Sequence, residues 1–148
     1  MKPYLLCLSL LLCNSVLAFE TPQALQDAFM AAMRANDAAG MAACYTATAT
    51  SFQVDSMSGV GPAYVQESWT HFFANYHIIS AELTGDHKEV SADLAVAWGL
   101  FTLKVQPVVG GEPMVMQGRY TDAARKINGQ WLYIADHASM PLPPPPEQ

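Results

Sequence analysis

Apolar positions recur at helical spacing over the first half of the chain and at alternating spacing over the second. Thr21-Pro22 supplies a capping hydroxyl and a proline at the first helical position. Leu25, Ala28, Phe29, Ala32 and Met33 then form one apolar stripe. Asn36-Asp37 ends that helix and caps a second, where Met41, Cys44 and Tyr45 face inward. Thr46 to Phe52 is β-branched and alternating, which predicts a short strand. Ser56 to Gly61 reads as a loop, and Pro62 opens a third helix with Val65, Trp69, Phe72 and Phe73 on one face. Beyond Asn75 the period shortens to two. Tyr76 to Leu83 is one predicted strand, with Thr84-Gly85-Asp86 leading out of it, and Val90 to Val105 is a long strand or bent pair. After a glycine-rich connection, Val115 to Ile127 and Gln130 to Ala138 form a closing hairpin turned at Asn128-Gly129. The pattern predicts an α+β domain in which three N-terminal helices pack on one face of an antiparallel sheet.

The long strand is apolar on both sides. Ala95, Ala97 and Gly99 share one face; Leu94, Val96, Trp98 and Leu100 share the other. A strand apolar on both faces is expected to be covered on both. The helices cover one, so the face around Trp98 is the expected homodimer surface, with a loop or the tail as the alternative cover.

The ends carry a different signal from the middle. Met1-Lys2, the apolar run Leu5 to Leu12 and Val16-Leu17-Ala18 have the three-part form of a secretory signal peptide over residues 1–18. That leaves a single domain over residues 19–141 and a proline-rich tail over 142–148, whose prolines suit neither helix nor sheet. The expected location is therefore periplasmic or secreted. Cleavage removes Cys7 and Cys13, so Cys44 has no disulfide partner and reads as a buried structural thiol. With 13 acidic against 7 basic residues the chain is at −6, and it has no basic cluster beyond Arg125-Lys126. This argues against nucleic-acid and acidic-membrane partners.

The segments ALQDAFMAAMRANDAAGMAACYTATAT, GVGPAYVQESWTHFF and GRYTDAARKINGQWLYIADHASMP, in this order, resemble the SnoaL-like, ketosteroid-isomerase-like domains of the nuclear transport factor 2 superfamily. The closing hairpin resembles the subgroup that ends in W…DHxS-P. The resemblance spans Pro22 to Pro141. It implies a cone-shaped α+β fold, a pocket between helices and curved sheet, and dimerisation through the outer sheet face. One departure matters. Catalytic members often place an aspartate where the second helix meets the first strand, and the matching position here is Thr48. A hydroxyl at its ordinary pKa does not replace a carboxylate as general base. No dinucleotide loop, flavin motif or paired cysteines appear, so no cofactor is expected.

Candidate chemistry centres on His137, whose partner depends on the hairpin register. A two-residue turn pairs Ile127 with Gln130 and sets His137 opposite Tyr120, with Asp122 diagonal. A type I turn with a bulge at Gly129 pairs Lys126 with Gln130 and sets His137 opposite Arg119, with Thr121 diagonal. The second is favoured because it gathers Trp131, Tyr133, His137 and Thr121 on the pocket face. In either register Asp136 and His137 point to opposite faces of a regular strand. The expected site is His137 for proton transfer, Arg119 as anion partner and Thr121 as hydrogen-bond donor, with Tyr45, Trp69, Phe73 and Tyr133 as ligand-binding walls. The remaining histidines, at 71, 77 and 87, have no common metal-ligand spacing, and no metal is expected. Three readings result. The leading one is an exported domain that binds a small apolar or amphipathic molecule without catalysis. The second is a cofactor-independent isomerase, cyclase or dehydratase that uses His137. The third is a dimeric partner-binding protein.

Overall fold

A computed structural model describes residues 19–54 and 56–141. The expected signal segment and proline-rich tail lie outside the described residues. Helix α1 (Pro22–Arg34) starts as its sequence predicts: the Thr21 hydroxyl accepts the Ala24 N–H at 3.0 Å. Asn36 adopts φ 56° and ends the helix, and Asp37 caps the short α2 (Ala38–Ala42) by accepting the Gly40 N–H. Strand β1 (Tyr45–Phe52) and the two-residue β2 (Gly59–Val60) follow, then α3 (Gly61–Asn75). Gly61 opens α3 at φ 80°, where a Cβ would stand 2.7 Å from the Ala47 carbonyl oxygen. Only glycine meets both conditions there.

The sheet is completed by β3 (Tyr76–Val90), β4 (Leu94–Pro107), β5 (Met114–Ile127) and β6 (Gln130–Ser139), in the order β2-β1-β6-β5-β4-β3. Two expectations change. The sheet is mixed, because β1 runs parallel to β6 while every other pairing is antiparallel. The three helices also do not precede the sheet as a block, since β1 and β2 lie between α2 and α3.

Strand β3 continues seven residues beyond its expected end. Its ladder slips between Thr84 and His87, where Gly85 takes φ 58°. Glycine there makes a bulge rather than a stop. The faces of β4 fall as its alternation predicts: Ala95 and Ala97 are buried, while Leu94, Trp98 and Leu100 are exposed on the outer face. The imidazole of His87 stacks on Trp98 there, with ring centroids 5.7 Å apart.

Two apolar clusters join helices to sheet. One gathers Leu25, Cys44, Tyr45, Val65, Trp131 and Tyr133; the other is built from Met30, Met33, Met41, Ile78, Leu103 and Val105. Cys44 is buried and free, and burial pushes its thiol up to about 12. At neutral pH it is a packing group.

Candidate functional site

Between α1, α3 and the inner sheet face lies a cavity of about 760 Å³. The residues of β4 that line it are Phe101 and Leu103. One end is apolar, with Met30, Met33, Leu83, Phe101, Leu103 and Met116. At the other end Phe29 is surrounded by Tyr133, Tyr45 and Trp69, at ring-centroid distances of 5.7, 6.0 and 6.5 Å. Tyr45 and Tyr133 are register partners across β1 and β6, with rings 5.3 Å apart.

The closing hairpin brings two aspartates to the cavity, in a register that neither sequence alternative contained. Asn128 and Gly129 both have positive φ, so the turn is the two-residue kind, and Ile127 pairs with Gln130. The ladder then slips between Ala124 and Ala123: Tyr133 pairs with Ala124 and Ala135 with Ala123, leaving Ile134 as the extra residue of a bulge. That one residue reverses the alternation of everything after it. Asp136 pairs with Asp122 and His137 with Thr121. Both aspartates line the cavity together with Tyr120.

The expected site residues divide accordingly. Tyr45, Trp69 and Tyr133 line the cavity. Phe73 packs beside Trp69 in the second apolar cluster and is not part of the lining. Arg119 and Thr121 are corrected outright: both are exposed and outside the lining, and the Arg119 Nε–H donates to the Ser139 hydroxyl at 3.1 Å. His137 reaches the cavity rim, but it is exposed and meets Phe52 edge-on, at 6.1 Å between centroids. Thr48 is exposed on β1 and outside the lining, so the hydroxyl at the family's aspartate position contributes nothing to the cavity. Asp122 and Asp136 were missed as a pair. The available signal was weak: Asp122 lies five residues before Ile127 and Asp136 six after Gln130, a one-residue mismatch that a regular ladder keeps and the bulge at Ile134 removes.

Burial dominates the electrostatics. It raises Asp136 to about 6, against the hydroxyls of Ser51 and Tyr45 and the nearby His137, which all favour the charged form. Oδ1 of Asp136 is buried without a hydrogen-bond partner. Asp122 is pushed well above the usual carboxylate range, first by burial and then by the charges of Asp136 and Asp86; Lys88 opposes this. Two such carboxylates titrate as a unit, and both favour the protonated form more than an exposed aspartate does. Burial likewise raises the phenols of Tyr45 and Tyr133, so both stay protonated as donors.

A polar network closes the cavity behind the pair. Gln26 of α1 donates to Asp86 at 3.1 Å and to the Tyr120 hydroxyl at 3.3 Å, and accepts from the Lys88 ammonium at 2.8 Å. The Tyr120 hydroxyl also donates to Asp86. Burial acts upward on Asp86, but the bonds from Tyr120 and Gln26, with Lys88 and His87, bring its pKa below the ordinary value. Asp86 thus favours its ionised form, whereas Asp122 and Asp136 are shifted toward their protonated forms. Among the described residues no three His, Cys, Asp or Glu side chains gather to hold a metal ion.

Comparison with known proteins agrees on the fold. The family described as "SnoaL-like domain" matches residues 23–143. No curated protein matches the sequence. Among solved structures, a ketosteroid isomerase-like protein from Erwinia carotovora atroseptica has 19% identity and a TM-score of 0.70, covering 82% of this chain and 94% of its own. A provisionally named scytalone dehydratase from Novosphingobium aromaticivorans has 12% identity and a TM-score of 0.72, covering 81% of each chain. An NTF2-like protein of unknown function from Pseudomonas putida has 23% identity and a TM-score of 0.69, covering 82% of this chain and 84% of its own.

Proposed function

The chain belongs to the SnoaL-like domain family, and on that premise we propose that it is a cofactor-independent proton-transfer enzyme of the isomerase or dehydratase kind. Its substrate is a small, largely apolar molecule. The observation that carries the reading is the Asp122–Asp136 pair, face to face across β5 and β6 at the polar end of the cavity. Asp136, at about 6, has the basicity to take a proton from a substrate near neutral pH and to return it. The phenols of Tyr45 and Tyr133 supply donors for an oxygen that gains charge as that proton leaves. The apolar end holds the rest of the substrate and keeps water from the reacting atoms. His137, exposed at the rim, is not the base in this reading. The signal-type segment at residues 1–18 supports an exported enzyme.

A test that does not require the natural substrate is hydrogen–deuterium exchange at the α-carbon of flat two-ring ketones in D2O. Wild-type protein is expected to accelerate exchange over Asp136→Asn by about 10²-fold or more, whereas His137→Ala retains most of the acceleration. Exchange at the Asp136→Asn rate across the whole ketone panel, or loss of exchange in His137→Ala alone, would sink the proposal. The first result would leave a binding protein without catalysis, and the second an enzyme that uses His137.

A further inference from the structure

Two buried carboxylates normally have a cationic partner, and this pair has none in contact. Among the described residues lining the cavity there are three carboxylates, Glu67, Asp122 and Asp136, and no lysine or arginine. The nearest cation behind the pair, Lys88, directs its ammonium to Gln23 at 2.7 Å and Gln26 at 2.8 Å. Asp122 makes no hydrogen bond among the described residues, although it lines the cavity, and Oδ1 of Asp136 is buried and unpartnered. Beside them stand the rings of Phe29, Tyr45, Trp69 and Tyr133. Aromatic faces with an uncompensated carboxylate are the surroundings that stabilise an ammonium ion taken out of water. A carboxylate seated beside the pair would meet like charge.

We infer that the substrate of this cavity carries a protonated amine on its apolar body, and that the ammonium is seated against Asp122 within the aromatic walls. This rests on the cavity being a small-molecule site, and it adds the charge of the occupant. The groups facing the pair are Asp86 and Lys88 from β3, Tyr120 from β5, Tyr45 and Ser51 from β1, and Tyr133 and His137 from β6. An arriving ammonium favours the doubly ionised pair, and a proton leaves the pair for solvent. Asp136 is then an unprotonated base because substrate is bound.

Three probes with one two-ring body separate the possibilities: 2-naphthylmethylamine, 2-naphthylmethanol and 2-naphthoate, each titrated calorimetrically into the full chain at pH 6.5. The amine is expected to bind about tenfold or more tighter than the alcohol, with the carboxylate weakest. Repeating the amine titration in buffers of different ionisation enthalpy is expected to show proton release from the protein, with none for the alcohol. In folded Asp122→Asn the amine-to-alcohol ratio falls close to one. Should Asp122→Asn fail to fold, the proton-release measurement on wild type decides alone. Alcohol binding equal to or tighter than the amine, or amine binding without proton release, overturns the inference and leaves the proton-transfer reading in place. Failure of all three probes to bind overturns both.

Discussion

Asp136→Asn is expected to make the protein more stable at pH 8, by about 1–2 kcal/mol, and to change stability little at pH 4. The folded chain holds the Asp136 proton more tightly than the unfolded chain, because burial raises the group from 3.8 to about 6. Its favourable contribution is present below about pH 4 and disappears as pH rises through about 6. That interval corresponds to about 3 kcal/mol. Burying an amide in place of the acid offsets part of the gain, since Ser51 and Tyr45 suit a carboxylate better. Urea unfolding of wild type and variant across this pH range provides the check. A variant less stable than wild type at pH 8 would mean that Asp136 is held by compensating partners and is not strained by burial. Gaining stability while losing proton transfer is the behaviour of a group retained for function.

Leu25→Ala is expected to have the opposite effect, destabilising the protein by about 3–4 kcal/mol. Leu25 is fully buried, with 0% exposure, in the cluster that joins α1 to Tyr45, Val65 and Tyr133. Truncation loses the transfer energy of the removed carbons and leaves a void that close-packed aromatic neighbours cannot collapse to fill. The helix also carries Gln26 and Phe29, so the polar network and an aromatic wall of the cavity depend on the same contact. The denaturation midpoint should fall with an unchanged slope. A loss under about 1 kcal/mol would show that α1 is docked mainly by its polar contacts.

Much of the architecture was legible because it rests on local chemistry. Thr21-Pro22 and Asp37 cap their helices by hydrogen bonds that any reading of those residues anticipates. Asn128-Gly129 turns the hairpin with the positive φ values its residues favour. The alternation of β4 separates Ala95 and Ala97 from Trp98 and Leu100 as observed. What local chemistry does not carry is register across bulges. Nothing in Tyr133-Ile134-Ala135 distinguishes a bulge from a continuing strand; the choice is made by tertiary packing, where Tyr45 and Ser51 of β1 stand beside Tyr133 and Asp136. The same holds at Gly85, which read as the end of a strand and serves instead to bring Asp86 to Tyr120 and Gln26. At both bulges a carboxylate is placed where regular alternation would not put it. The site was misread at the points where the chain departs from period two, and those departures create the site.

The proposed chemistry rests on Asp122 and Asp136 titrating as one unit at the polar end of the cavity. Carboxyl carbon NMR of protein labelled at aspartate, followed from pH 3 to pH 9 with Asp122→Asn and Asp136→Asn for assignment, tests it directly. One carboxyl of the pair is expected to titrate at about 6 and the other to keep its proton to higher pH, with Asp136→Asn shifting Asp122 downward. Two independent titrations at about 4, unaffected by the substitutions, would contradict it.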